Sequence, residues 1–222
     1  MRPRIVFLSL LTPVFLLFQG CNEPEGIYDL FSGSIPRIEI PEGEGSRFTD
    51  AQTLFLTLKG DAVEFSGEVY PLKTLTADAQ KINYQADIVL SNDVKVRGIT
   101  FLKAEEILVL DLDGLGKSIK LEKFAKLMER KANEFAEVNL TADLSQLSEG
   151  QREMLKLLFQ VADIMEEIYW SQVFPDKDAA MGAMVDEHVA RFFEINYGPW
   201  ERLNGNLPFL PGYGPKPAGS GF

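Results

Sequence analysis

The sequence predicts an α+β chain: a β-rich module, then a helical region, then a Gly/Pro-rich C-terminal arm. Three observations carry this expectation. Residues 48–113 hold short β-favouring runs separated by Gly, Asp or Asn. From Lys120 onward the apolar residues recur at steps of three and four. The last 27 residues, Asn196 to Phe222, contain six Gly and five Pro, too many for a regular element.

Composition sets the outer bounds. With 222 residues, 45% hydrophobic and 25% charged, the chain belongs with globular proteins. All 33 acidic residues follow Cys21, against 20 of the 22 basic ones, so the portion after Cys21 carries −13. That balance argues against nucleic acid, whose phosphates demand clustered Lys and Arg. A single Cys excludes an intrachain disulfide.

The first element, residues 1–20, has the three parts of a signal peptide: Arg2 and Arg4, an apolar run from Ile5 to Phe18, then Gly20 before the Cys. At ~1.5 Å per residue the run falls short of the ~30 Å hydrocarbon core, which disfavours a permanent span. Gly20-Cys21 resembles the lipobox of bacterial lipoproteins, which implies lipid attachment at Cys21 and a membrane partner through it. The implied location is the bacterial cell envelope, lipid-anchored on the periplasmic face, with Asn22 favouring the outer membrane. Residues 21–47 are expected to be a flexible tether, because Pro24, Gly26, Gly33, Pro36, Pro41, Gly43 and Gly45 break any pattern. Glu39, Glu42 and Glu44 are read as solvated linker charges.

The β-rich module is placed at 48–114. Ala51-Gln52-Thr53-Leu54, Ala79-Gln80-Lys81-Ile82 and Ala104-Glu105-Glu106-Ile107 recur at spacings of 28 and 25. This fits a short β-solenoid stacking Leu54, Ile82 and Ile107; a small antiparallel sheet is the alternative. Asp111 and Asp113 before Gly114 partly match a calcium loop, with Glu122 at its twelfth position, but the ninth is Ile119, so a turn is the default.

The helical region, 119–222, opens with a stripe from Leu121 to Phe135. Ser148 and Gln151 have capping-box spacing ahead of an apolar face that runs from Met154 to Trp170. A third helix is expected over Asp178 to Glu194, closed off by Pro199. Beyond it the aromatic residues of the arm lack a period and need something to cover them.

Asn196-Tyr197-Gly198-Pro199-Trp200-Glu201-Arg202-Leu203, with Pro208-Phe209, Gly214-Pro215-Lys216-Pro217 and Gly219-Ser220-Gly221-Phe222, resembles the N-terminal region of dipeptidyl peptidase III-like zinc peptidases of the M49 type, in particular the bacterial lipoprotein members. The resemblance covers about residues 125–222. It implies the non-catalytic, truncated start of a membrane-tethered peptidase, with peptides or a missing catalytic part as partners. Such enzymes hold zinc through His-Glu-x-x-Gly-His, which this chain lacks. No catalytic residue, metal ligand or cofactor is therefore assigned, and His188, the single histidine, is expected on a helix surface. The alternative is a non-enzymatic envelope lipoprotein serving as a binding or scaffolding module.

Overall fold

The structure, a computed structural model, describes residues 28–42, 45–90 and 94–219. The expected signal peptide, Cys21 and Glu44 lie outside these residues.

Among the described residues nine strands form one antiparallel sheet. In chain order they are β1 (Tyr28–Ile35), β4 (Gln52–Lys59), β5 (Ala62–Phe65), β6 (Glu68–Pro71), β7 (Lys73–Ala77), β8 (Lys81–Val89), β9 (Lys95–Leu102), β10 (Ile107–Leu112) and β11 (Lys117–Lys123). Two further strands, β2 (Glu39–Glu42) and β3 (Gly45–Phe48), make a separate hairpin. The order across the sheet is β6-β5-β4-β1-β11-β10-β9-β8-β7. The sheet curls until β6 lies against β8, which nearly closes a barrel.

Alternation drives the curl. On β4, Leu54, Leu56 and Leu58 point inward, while Thr53, Phe55 and Thr57 point out. Repeated around the sheet, this fills the interior with Phe31, Leu56, Ile88, Val96, Leu108 and Leu121, none of them exposed at all. Tyr84 is also buried there, and burial, aided by the Asp61 carboxylate, pushes its phenol up.

Two expectations for this half are corrected. The β-solenoid is replaced by consecutive hairpins: Ile82 pairs with Phe101 and Ile107 with Leu102, in antiparallel registers. The connections are too short to return a strand in parallel, as in the two-residue turn Ser66-Gly67, both at positive φ. The tether is overturned from residue 28, since β1 is a central strand paired along its whole length with β4. Phe31 and Ile35 are buried, and Gly33 is the residue that lets β11 pass close by.

The helical half begins at α1 (Phe124–Asn133), because β11 runs on to Lys123, three residues past the expected helix start. Helix α1 lies on the outer face of β1 and β11, where the Phe124 ring meets Phe55 edge-on at 6.3 Å. Next come α2 (Glu149–Val173), α3 (Lys177–Ala183) and α4 (Glu187–Asn196). The expected single helix over 178–194 is broken at Met184-Val185-Asp186, where the Asp186 carboxylate accepts from the amides of His188 and Val189 at 2.8 and 3.1 Å and starts α4.

Both halves of the capping box of α2 are present, with Ser148 Oγ accepting from Gln151 N and Gln151 Oε1 from Ser148 N. Ser148→Ala removes one of these bonds and is expected to cost about 1 kcal/mol locally. The readout is roughly fivefold faster hydrogen exchange in the first turn of α2, with global unfolding unchanged.

The C-terminal segment is not an extended arm. Tyr197 (φ 56) and Gly198 (φ 136) end α4 in positive-φ conformations, and the chain then folds back as a hairpin of β12 (Trp200–Glu201) and β13 (Leu207–Pro208). Trp200, Phe209 and Leu210 are buried with Phe192, Phe193, Met128 and Trp170 in a second core. The indole of Trp200 donates to the Gly214 carbonyl at 2.9 Å, which fixes the segment beyond.

Candidate functional site

Two residues of β11 pair with β1, Glu122 with Ser32 and Lys123 with Phe31, and beyond them the ladder opens. The opening is a pocket of about 320 Å³, lined by Ser34, Pro36, Arg37 and Ile38 on one side and by Leu112, Lys117, Ser118, Ile119 and Lys120 on the other. Its size is at the lower end for a small-molecule site.

Local chemistry holds each wall. Pro36 ends β1, and Ile38 is pinned by a reciprocal pair of bonds: its amide donates to Thr49 Oγ1 at 3.1 Å and its carbonyl accepts from Thr49 N at 2.9 Å. The Arg37 guanidinium lies 4.4 Å over the Phe48 ring. The opposite wall follows the turn Asp113–Gly116, in which Gly114 and Gly116 take positive φ, as a tight β10–β11 connection requires. Ile38 and Ile119 supply an apolar floor; Ser34 and Ser118 supply hydroxyls.

The electrostatics are one-sided. Three cations, Arg37, Lys117 and Lys120, gather around the pocket without a lining carboxylate, in a chain whose net charge is −11. Among the described residues none of the three has an ion-pair partner, whereas Lys59, Arg97, Lys123, Lys126, Arg130, Lys131 and Lys156 all do. Like charges collected without counter-charge favour an anion between them.

A second, wider groove of about 690 Å³ runs between residues 50–53 and the C-terminal segment, with Asn206, Tyr213 and Lys216 among its lining. Burial first, and then the Arg202 guanidinium, push the Lys216 amine down, while burial pushes the Tyr213 phenol up. Arg202 itself lies over the rings of Tyr197 and Tyr169 and bonds the Tyr169 hydroxyl. Asp50 also lines this groove, so its charge is mixed and the first pocket is the better anion site.

The residues singled out in the sequence are not brought together. His188 sits half-buried in the first turn of α4, engaged through its backbone amide. Among the described residues no group of three His, Cys, Asp or Glu side chains could hold a metal ion. Asp113 is bound by Arg97 at 2.9 Å and Glu122 by Arg130 at 2.7 Å. Asp111 pairs with Ser118 and Glu122 with Ile107, so these two carboxylates stand four residues apart along the strand, roughly 13 Å. The partial calcium loop is a hairpin.

Comparison with known proteins changes the family reading. The chain is 31% identical over 91 residues to Nudix hydrolase 3 of Arabidopsis thaliana, a match covering 37% of this chain and 12% of that protein. No protein-family model matches the chain, and no solved structure matches it. That similarity is to a short part of a Nudix hydrolase, and not to an M49-type zinc peptidase. It overturns both the inactive peptidase start and the envelope lipoprotein module. The irregular Gly, Pro and aromatic positions behind that resemblance do local structural work here: Tyr197-Gly198 ends a helix and Trp200 ties down Gly214.

Proposed function

We propose that this chain holds an anionic substrate for a hydrolase, in the pocket between β1 and the β10–β11 hairpin. The observation that carries the reading is the gathering of Arg37, Lys117 and Lys120 with no carboxylate in the lining. Similarity to part of a Nudix hydrolase supports the hydrolase class. The ligand is a compact anion: the cations and the two Ser hydroxyls meet its charge, and Ile38 and Ile119 meet any apolar portion.

Titration calorimetry with inorganic phosphate and inorganic pyrophosphate tests this. Binding is expected, tighter for pyrophosphate and weakening as salt rises. Lys120→Ala, at an exposed position on the outer face of β11, is expected to weaken it roughly tenfold or more without altering the fold. Equal affinity in wild type and variant, or no heat at millimolar anion, would count against the pocket.

A further inference from the structure

The C-terminal hairpin reaches the anion pocket at Ser34. Asn204 closes the single 3-10 turn Arg202–Asn204 that follows β12, and its side-chain nitrogen donates to Ser34 Oγ at 3.1 Å, across 170 residues of chain. The same nitrogen donates to Glu201 Oε2, also at 3.1 Å. Ser34 lines the pocket together with Arg37, Lys117 and Lys120.

The turn that carries Asn204 is held firmly. The Lys131 ammonium of α1 binds Glu201 Oε1 at 2.5 Å, and the two side chains are only 16% and 13% exposed. The buried Asn196 at the end of α4 accepts from the Arg202 amide at 3.0 Å, and the Asn206 amide donates to the Glu201 carbonyl at 2.9 Å. A chain of polar contacts, Lys131 to Glu201 to Asn204 to Ser34, thus runs from the second core to the wall of the pocket.

The carboxylate decides which way the Asn204 amide faces. An ionised carboxylate only accepts, so nitrogen and not oxygen must meet Glu201, and the second hydrogen of that nitrogen meets Ser34. Ser34 Oγ is therefore an acceptor toward Asn204. A hydroxyl owns one hydrogen, and with a lone pair committed to Asn204 that hydrogen points away from it, toward the pocket.

We infer that Asn204 is a positioning residue for the anion pocket, holding the Ser34 hydroxyl as a hydrogen-bond donor to the bound oxyanion. The inference rests on the reading of this pocket as an anion site. Without Asn204 the hydroxyl hydrogen is free to turn to water or to a neighbouring carbonyl, and the anion must recapture it on binding. Asn204 is uncharged, so its effect on the anion passes through Ser34.

Titration calorimetry of the full chain with inorganic pyrophosphate, run as a double-mutant cycle, is the test. Ser34→Ala is expected to weaken binding roughly tenfold, the loss of a hydrogen bond to a charged acceptor. Asn204→Ala is expected to weaken it roughly threefold with circular dichroism unchanged. In the Ser34→Ala background Asn204→Ala should cost nothing further, whereas independent effects would multiply to roughly thirtyfold. Ser34→Thr, which keeps the hydroxyl, should retain both the affinity and the sensitivity to Asn204→Ala. Asn204→Leu, similar in shape but without the donor, repeats the measurement should the alanine variant fail to fold. Wild-type binding that Asn204→Ala and Asn204→Leu leave unchanged overturns the inference while the anion pocket stands. A double variant roughly thirtyfold weaker than wild type overturns it too, because Asn204 then acts on the fold of the pocket and not through the hydroxyl. No heat from the wild type at millimolar pyrophosphate sinks the anion pocket, and this inference with it.

Discussion

Phe193→Ala is expected to cost about 3–5 kcal/mol of folding stability, measured as a fall in the urea midpoint. Phe193 is fully buried at the centre of the second core. Its ring stacks on Trp170 at 5.9 Å and 20° and meets Phe174 edge-on at 5.3 Å and 86°. Removing it leaves a void between α2, α4 and the segment around Phe174. Neither neighbour can collapse into that void, because Trp170 is tied to Glu166 and Phe174 packs on Trp200. Against a total of about 5–15 kcal/mol for a domain, this is a large fraction. Phe159→Ala, on the solvent-facing part of α2, is the matched control and should change stability by less than about 0.5 kcal/mol.

Gly33→Ala is the second large effect, and it acts through backbone instead of a void. A Cβ at Gly33 would sit 2.5 Å from the Lys120 carbonyl oxygen and 2.8 Å from a Leu121 methyl. The carbonyl belongs to β11, which is paired with β10 on its other side and cannot retreat alone. The expected cost is about 1–3 kcal/mol or more, since over-packing of this kind must move a strand. Gly98→Ala on β9 is the control: its Cβ meets Asp111 and Tyr84 at 3.7 Å, an ordinary contact, and the change should be nearly neutral. Because Lys120 lines the anion pocket, Gly33→Ala should also weaken pyrophosphate binding, whereas Gly98→Ala should leave it intact.

How much of this was legible follows from the range of the interactions. The capping box of α2 and the alternation of β4 and β8 are written in neighbouring residues, and the sequence reading finds them. Strand β1 was hidden because its pattern is broken by Ser32, Gly33 and Ser34; it is a strand through pairing with β4 and β11, some 20 and 90 residues away. The split of the third helix turned on one carboxylate, Asp186, whose capping role competes with its place inside a helical period. The antiparallel sheet was one of two readings of the β-region. Short turns decide in its favour, and the repeat at spacings of 28 and 25 reflects strand length, not stacking.

The pocket was missed for a similar reason. Arg37 and the run Lys117-Ser118-Ile119-Lys120 are about 80 residues apart, and each alone reads as solvated charge. No local signal marks them: Arg37 is a lone cation two residues before Glu39, and Lys120 stands two residues before Glu122. The family reading failed differently. It rested on irregular positions in the C-terminal segment, and those positions answer to a helix end and a buried indole before they answer to any catalytic ancestry.

The central claim is that the opening between β1 and β11 receives an anion. Amide chemical-shift mapping during titration with inorganic pyrophosphate tests it most directly. The account predicts saturable shifts confined to residues 34–38 and 112–120, with saturation in Lys120→Ala needing roughly tenfold more anion or beyond. Shifts centred on 205–217 instead, or spread over the surface without saturation, would contradict it.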